Sequence, residues 1–249
     1  MEGVSMGKFL SRIGIGSAEV DTILHSDTVQ PGDTIEAHVE VEGGSADQEV
    51  DEIELAVMTR YEVETDEGTS YHNETLLETE LTDGFTIEAG EEMTIDGGEI
   101  HVPESTPPTI GKTQVWVATG LDIDWSLDPT DEDHLEVQPG PYYSALVEAV
   151  ESLGFAQRSV DNVKASSFGP QTFAQELEYK PTSGPYAGEL DEIELFPSRQ
   201  GDGLSVVVEV DKRGGSLFGS DESHHRVTVD STDPDVVADQ ISSLIDEQL

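Results

Sequence analysis

The chain of 249 residues has no cysteine. That excludes a disulfide framework and any thiolate metal site, and it removes the strongest side-chain nucleophile. Basic residues are almost as scarce: 11 Lys and Arg stand against 54 Asp and Glu, a formal net charge of −43. Proteins that hold phosphate backbones or anionic membranes need clustered cations, so neither nucleic acid nor membrane is an expected partner. Long apolar runs are missing too. No stretch approaches the roughly 18 consecutive apolar residues of a spanning helix. Near the start there are only the short patches Phe9-Leu10 and Ile13 to Ile15, and the protein is expected to stay in the cytoplasm where it is made. Hydrophobic residues amount to 35%, low but enough for cores.

The acids are spread over the whole chain. In Thr34-Ile35-Glu36-Ala37-His38-Val39-Glu40-Val41-Glu42 they alternate with apolar residues, so they coat the outer face of a strand whose inner face is buried. Acid on every folded face is the composition of a protein adapted to high salt. Two like charges about 10 Å apart in water repel by about 0.4 kcal/mol, and dozens of such repulsions add up. At 1 M salt the screening length falls to about 3 Å, and most of that repulsion disappears.

Strict period two recurs along the first half. Ile35, Ala37, Val39 and Val41 share one face, as do Ile53, Leu55, Val57, Thr59 and Tyr61. Gln30-Pro31-Gly32-Asp33 is a turn signal. Glu74 to Leu81, Thr82-Asp83-Gly84 and Phe85 to Ile87 read as a short hairpin, and Ile95 to Val102 and Lys112 to Asp124 as further strands. Met6 to Ile13 is expected to form one or two helical turns. Many short strands punctuated by Gly, Pro and Asp describe a β-sandwich.

A polar break at Asp128 to Asp133, then Pro139-Gly140-Pro141, interrupts the apolar pattern. A boundary is expected there, dividing the chain into residues 1–137 and 138–249. The second part opens with a predicted helix over 142–153, with Tyr143, Leu146, Val147, Val150 and Leu153 in one stripe. Five strands follow, near 159–164, 172–180, 189–196, 204–211 and 225–230. A closing helix is predicted over 234–248, capped by Asp233 with Pro234 at its first position, its buried stripe being Val236, Val237, Ile241, Leu244 and Ile245.

Motifs that could carry chemistry are weak. Gly111-Lys112-Thr113 ends like a phosphate-binding loop, but Thr106 stands where that loop needs Gly and a strand follows. No G-x-S-x-G elbow is present, and no cofactor motif. Asp122, Asp124 and Asp128, with the acids at 131 to 133, could gather a hard cation such as Ca²⁺; they lack EF-hand spacing, and a solvated loop is the simpler reading. His224-His225 is expected to place one ring inside and one outside, because neighbours on a strand face opposite ways. Lys212-Arg213 stands out in so acidic a chain. With Phe218 it forms a basic-apolar loop suited to an acidic protein partner, the alternative being pairing with local carboxylates.

Several stretches resemble one family. They are Gly14-Ile15-Gly16-Ser17-Ala18, Val20-Asp21-Thr22, Val29-Gln30-Pro31-Gly32-Asp33-Thr34, Val50-Asp51-Glu52-Ile53-Glu54-Leu55 and Leu121-Asp122-Ile123. In the second half, Gln175-Glu176-Leu177-Glu178-Tyr179-Lys180-Pro181 and Gly184-Pro185-Tyr186-Ala187-Gly188-Glu189-Leu190-Asp191-Glu192-Ile193 precede Glu209-Val210-Asp211-Lys212-Arg213. Together these resemble the sporulation-control protein family, here as a haloarchaeal-type, acidic member. The resemblance implies a mostly-β fold of two tandem arrestin-like β-sandwich domains, a helix opening the second and another at its end. It also implies a non-catalytic adaptor or regulator that docks protein partners on a sandwich face or at a sheet edge, edges that also allow homo-oligomers. The other expectations to weigh are a divalent-cation protein or enzyme using the acidic loops at 122–133, and a self-assembling structural protein.

The charge distribution sets a first expectation: the melting temperature rises steeply between salt-free buffer and molar KCl. A thermal melt followed by circular dichroism checks it, and a transition as cooperative and as high without salt contradicts it.

Overall fold

The structure, a computed structural model, describes residues 18–65, 68–123, 130–165, 172–213 and 225–249, with only the backbone at 122 and 123. The expected helix at Met6 to Ile13 lies outside these residues. The fold is mostly β, with helices only at 141–152 and 234–246 among the described residues.

In the first half, β1 (Glu19–Leu24), β3 (Thr34–Glu42) and β6 (Glu92–His101) form an antiparallel sheet in the order β1-β3-β6. β4 (Gln48–Thr65), β5 (Gly68–Ile87), β7 (Val115–Ile123) and β8 (Thr130–Val137) build a second sheet, to which the short β2 (Thr28–Val29) adds in parallel along β8. Alternation drives both. Ile35, Ala37, Val39 and Val41 are buried while Glu36 and Glu40 are exposed. In β4 a bulge opposite β7, between Val50 and Glu52, turns both Val50 and Ile53 inward, so the buried row runs Val50, Ile53, Leu55, Val57 despite its uneven first step. These rows meet Val117, Leu121 and Val137 in one hydrophobic cluster. The turn expected at Gln30 to Asp33 is present, with Asp33 N–H donating to the Gln30 carbonyl at 3.0 Å.

The second half starts with α1 (Pro141–Ser152), runs through β9 (Phe155–Lys164), β10 (Phe173–Pro181), β11 (Leu190–Gln200), β12 (Gly203–Lys212) and β13 (His225–Val229), and closes with α2 (Pro234–Asp246). From β10 onward each of these strands pairs antiparallel with the one before it. The two helices touch each other and lie against one face of the sheet. Leu146, Val150, Ile193, Leu195, Val206, Val208, Ile241 and Ile245 form a second hydrophobic cluster there, each fully buried aliphatic side chain contributing roughly 1.5–3 kcal/mol. Asp233 caps α2, its side chain accepting from the Asp235 N–H at 3.1 Å, with Pro234 next.

Three expectations change. The hairpin at 74–87 does not form: β5 runs unbroken from Gly68 to Ile87 against β4. Gly84 is there because a Cβ would lie 2.8 Å from the Val50 carbonyl oxygen and 2.9 Å from that of Asp51, so the glycine answers a close backbone approach inside a strand. Val236 is 44% exposed; Ala238 takes its place in the buried face of α2. In α1 the buried face includes Ala145 and Ala149, while Val147 and Leu153 are only half-buried.

The halves join in two ways. Glu62 of β4 pairs with Val163 of β9 in parallel, which makes the larger sheets continuous in the order β13-β12-β11-β10-β9-β4-β7-β8-β2. Beside that bridge lies a polar seam. The Gln175 amide, 4% exposed, donates to the Pro108 carbonyl and Thr113 Oγ1, both at 2.8 Å, and its Oε1 accepts from Tyr143 Oη at 2.7 Å. The Asn162 amide, fully buried, donates to Thr59 Oγ1 at 3.0 Å and to the Arg60 carbonyl at 3.1 Å. Lys112 donates from its backbone N–H to the Val160 carbonyl at 2.9 Å and sets its ammonium 3.2 Å from Asp161. Gly111, at φ +64°, allows this clasp, since a Cβ there would lie 2.5 Å from the Val160 carbonyl oxygen. Gly111→Ala is therefore expected to cost roughly 2–4 kcal/mol, from left-handed strain plus the clash, measurable as a lower melting temperature in molar salt.

Candidate functional site

A cleft of about 510 Å³ opens where the two halves meet. This is within the usual size of small-ligand pockets, roughly 300–1,000 Å³. The first half contributes the Gln30-Pro31 turn, residues 74–76 of β5 and the segment 104–108 between β6 and β7. The second contributes the start of α1 at 140–143, residues 172–175 leading into β10, residues 197–199 of β11, and Leu204. Its walls are rich in proline and aromatic side chains, including Pro31, Pro107, Pro108, Pro141, Tyr142 and Phe173. Three charges line it: Glu74, Glu104 and Arg199. Arg199 Nε lies 3.5 Å from a Glu104 carboxylate oxygen, so this ion pair bridges the halves across the cleft. Thr106, in the 104–108 segment, is 3% exposed, and its Oγ1 is buried without a hydrogen-bond partner among the described residues.

The floor is the seam itself, since Gln175 and Tyr143 line the cleft and hold each other. Burial raises the Tyr143 hydroxyl far above its ordinary value, so it remains a neutral donor to Gln175. Sequence reasoning missed this cleft and this amide. A signal was present, because Gln175 shares the phase of Leu177 and Tyr179, the inward row of β10.

The opposite face of the second-half sheet carries a different arrangement. Glu176, Glu178, Glu192, Glu194 and Glu209 project from β10, β11 and β12 within electrostatic reach of one another. Burial, then the negative charges of Glu178 and Glu209, push the Glu176 carboxyl up to about 7. Burial and the charge of Glu176 push Glu194 up to about 8. With both carboxyls raised, each disfavours ionisation of the other near neutrality. Arg158 reaches Glu178 at 2.9 Å and Lys180 reaches Glu192 at 3.4 Å, at the margin of the cluster.

Lys212 ends β12 and Arg213 follows it, both exposed, with Arg213 N–H donating to the Glu189 carbonyl at 2.9 Å. Among the described residues neither side chain forms an ion pair. Phe218 lies outside the described residues, as do Asp124 and Asp128. Asp122 is in β7, its backbone opposite Glu52 of β4. Among the described residues no three His, Asp or Glu side chains are grouped to hold a metal ion. His225 is half-buried, its Nδ1 3.4 Å from the Gln248 amide, and His224 is outside the described residues. Gly111-Lys112-Thr113 serves the seam and leads into a strand. No helix among the described residues is long and apolar enough to cross a membrane.

Comparison with known proteins bears on most of the chain. Residues 6–214 match the family described as SpoOM protein (Spo0M). The chain is 38% identical over 213 residues to the sporulation-control protein spo0M of Bacillus subtilis (strain 168), covering 85% of this chain and 82% of that protein. It also resembles the crystal structure of Spo0M, sporulation control protein, from Bacillus subtilis. The TM-score is 0.84 at 32% identity, covering 94% of this chain and all of the other.

The carboxylate face predicts a pH dependence. A glutamate whose carboxyl is raised on folding binds its proton more tightly in the native state. The stability it brings is complete below its unfolded value near 4.5 and is lost as pH rises through about 7 for Glu176 and about 8 for Glu194. At constant molar salt, the melting temperature is expected to rise on going from pH 8.5 to about pH 6. The double substitution Glu176→Gln and Glu194→Gln should flatten that slope, and an equal slope in the variant contradicts the assignment.

Proposed function

The chain belongs to the SpoOM protein family, and on that premise we propose that it is a non-catalytic regulator in a salt-rich cytoplasm, acting by docking protein partners. The observation that carries this reading is the likeness to a sporulation-control protein at 38% identity over 213 residues, 85% of this chain. The architecture supports it. Residues 1–137 and 138–249 act as two arrestin-like units whose mutual orientation the polar seam holds. Each unit offers sheet surface to a partner. β5 is paired on one side only among the described residues, by β4, so its other edge can accept an added strand. Lys212 and Arg213 form the contact for an acidic segment: both are exposed, and neither is used in an ion pair among the described residues.

Affinity capture from a native high-salt extract tests the docking mode. The wild-type chain is expected to retain a defined protein, and the double charge reversal Lys212→Glu and Arg213→Glu to lose most of it, about tenfold or more for paired charges at a contact centre. Equal recovery by both proteins, with both equally folded, removes Lys212 and Arg213 from the contact. Recovery of no protein by the wild type contradicts docking as the mode of action.

A further inference from the structure

We propose that the outer face of the β1-β3-β6 sheet carries a binding site for a divalent ion of the zinc class, held by His25, Glu36 and His38. This goes beyond the regulator reading and does not depend on it.

Strand geometry brings the three side chains together. Glu36 and His38 are two apart in β3, so they leave the same face. The His25 N–H donates to the Glu36 carbonyl at 2.9 Å, one step beyond the Leu24–Ala37 pair, which sets His25 opposite Glu36. Opposite residues of an antiparallel pair have Cβ atoms about 4.5–5.5 Å apart, and diagonal neighbours remain within reach of ring side chains. His25 is the diagonal neighbour of His38, which itself faces Ile23. The two imidazoles stand edge-on with ring centres 5.7 Å apart. His25 and Glu36 are exposed and His38 is half-buried, so all three are open to an ion.

Their mutual contacts are loose, and one has the spacing of two metal ligands. His25 Nδ1 lies 3.3 Å from Glu36 Oε2, longer than the roughly 2.7–2.9 Å of a tight charge-assisted bond. Two donors each about 2.0–2.2 Å from a tetrahedral zinc ion stand roughly 3.3–3.6 Å apart. His38 Nε2 is 3.7 Å from Glu40 Oε1, too far for a hydrogen bond. As placed, no three donors converge on one point, and His38 leans toward Glu40. Side chains at a surface change rotamer in picoseconds to nanoseconds. Turning the His38 ring toward His25 completes the set.

The donors select the ion. Imidazole nitrogen suits zinc, copper and nickel, whereas magnesium and calcium take oxygen. Two imidazoles and one carboxylate, with water in the remaining position, suit a four-coordinate divalent ion. The chain has no cysteine to compete for it. Glu40 on β3 and Glu99, opposite Glu36 on β6, add negative charge at the margin. A bound ion ties β1 to β3 and stabilises the fold by mass action.

Isothermal titration calorimetry in molar KCl tests the site, since salt screens the general attraction of cations to an acidic surface. Zn²⁺ is expected to bind once per chain, about tenfold or more tighter than Mg²⁺. His25→Ala, His38→Ala and Glu36→Gln should each weaken Zn²⁺ binding about tenfold or more, as loss of a ligand costs no less than loss of its supporting partner. His72→Ala, whose ring stacks on Tyr61, should leave Zn²⁺ binding unchanged. Excess Zn²⁺ should raise the melting temperature of the wild type and leave that of the double variant His25→Ala and His38→Ala where it was. Melting curves without metal confirm folding, and the substitutions lie on two strands, so any one folded variant decides. No Zn²⁺ binding, Zn²⁺ binding no tighter than Mg²⁺, or undiminished binding by a folded His25, Glu36 or His38 variant overturns the site.

Discussion

Buried amide groups tie the two halves of this molecule together. Gln175 and Asn162 are taken out of water between two hydrophobic clusters, where hydrogen bonding offsets the cost of burial; Asn162 is bonded through its NH2 alone, its Oδ1 having no partner among the described residues. Gln175 satisfies both ends of its amide, with Pro108 and Thr113 on one side and Tyr143 on the other. Hydrogen bonds of this kind are directional where apolar contact is not. A slide or rotation of one half against the other would strand several polar atoms at once, at about 1–3 kcal/mol each. The orientation of the halves, the Glu62–Val163 bridge and the cleft that both halves line all depend on that seam.

The seam also explains where charge is allowed. Outside it the ion pairs among the described residues are few and mostly exposed, and exposed pairs contribute only about 0–1 kcal/mol apiece. Some carboxylates depart from that rule. On the outer face of the second-half sheet, burial and neighbouring charge raise Glu176 and Glu194, and in β8 burial and the charge of Asp131 raise Asp133. In the cleft Arg199 and Glu104 form an ion pair between the halves.

Much of the fold was readable because its rules are local. The alternation of Ile35, Ala37, Val39 and Val41 assigns a strand and its inner face. Asp233-Pro234 marks a helix start, and Gln30 to Asp33 a turn, from nearest-neighbour chemistry alone. The errors came where distant backbone intervened. Thr82-Asp83-Gly84 carries the residues of a turn, yet β4 runs so close beside it that the glycine is needed for clearance and the strand continues. Val236 has the right spacing for the inner stripe of α2, but the sheet meets the helix one step further round and buries Ala238.

Sequence by itself determined the mostly-β character, the two helices, the excess of acid and the family, since each depends on side-chain type, periodicity or residue order. Tertiary structure alone decided which polar residues face inward and which of them meet. Gln175, Arg199 and Thr106 come from strands and connections far apart in the chain. Nothing in their neighbours announces a shared cleft, because proximity across a sheet junction is set by pairing register and by the seam, which no local pattern encodes.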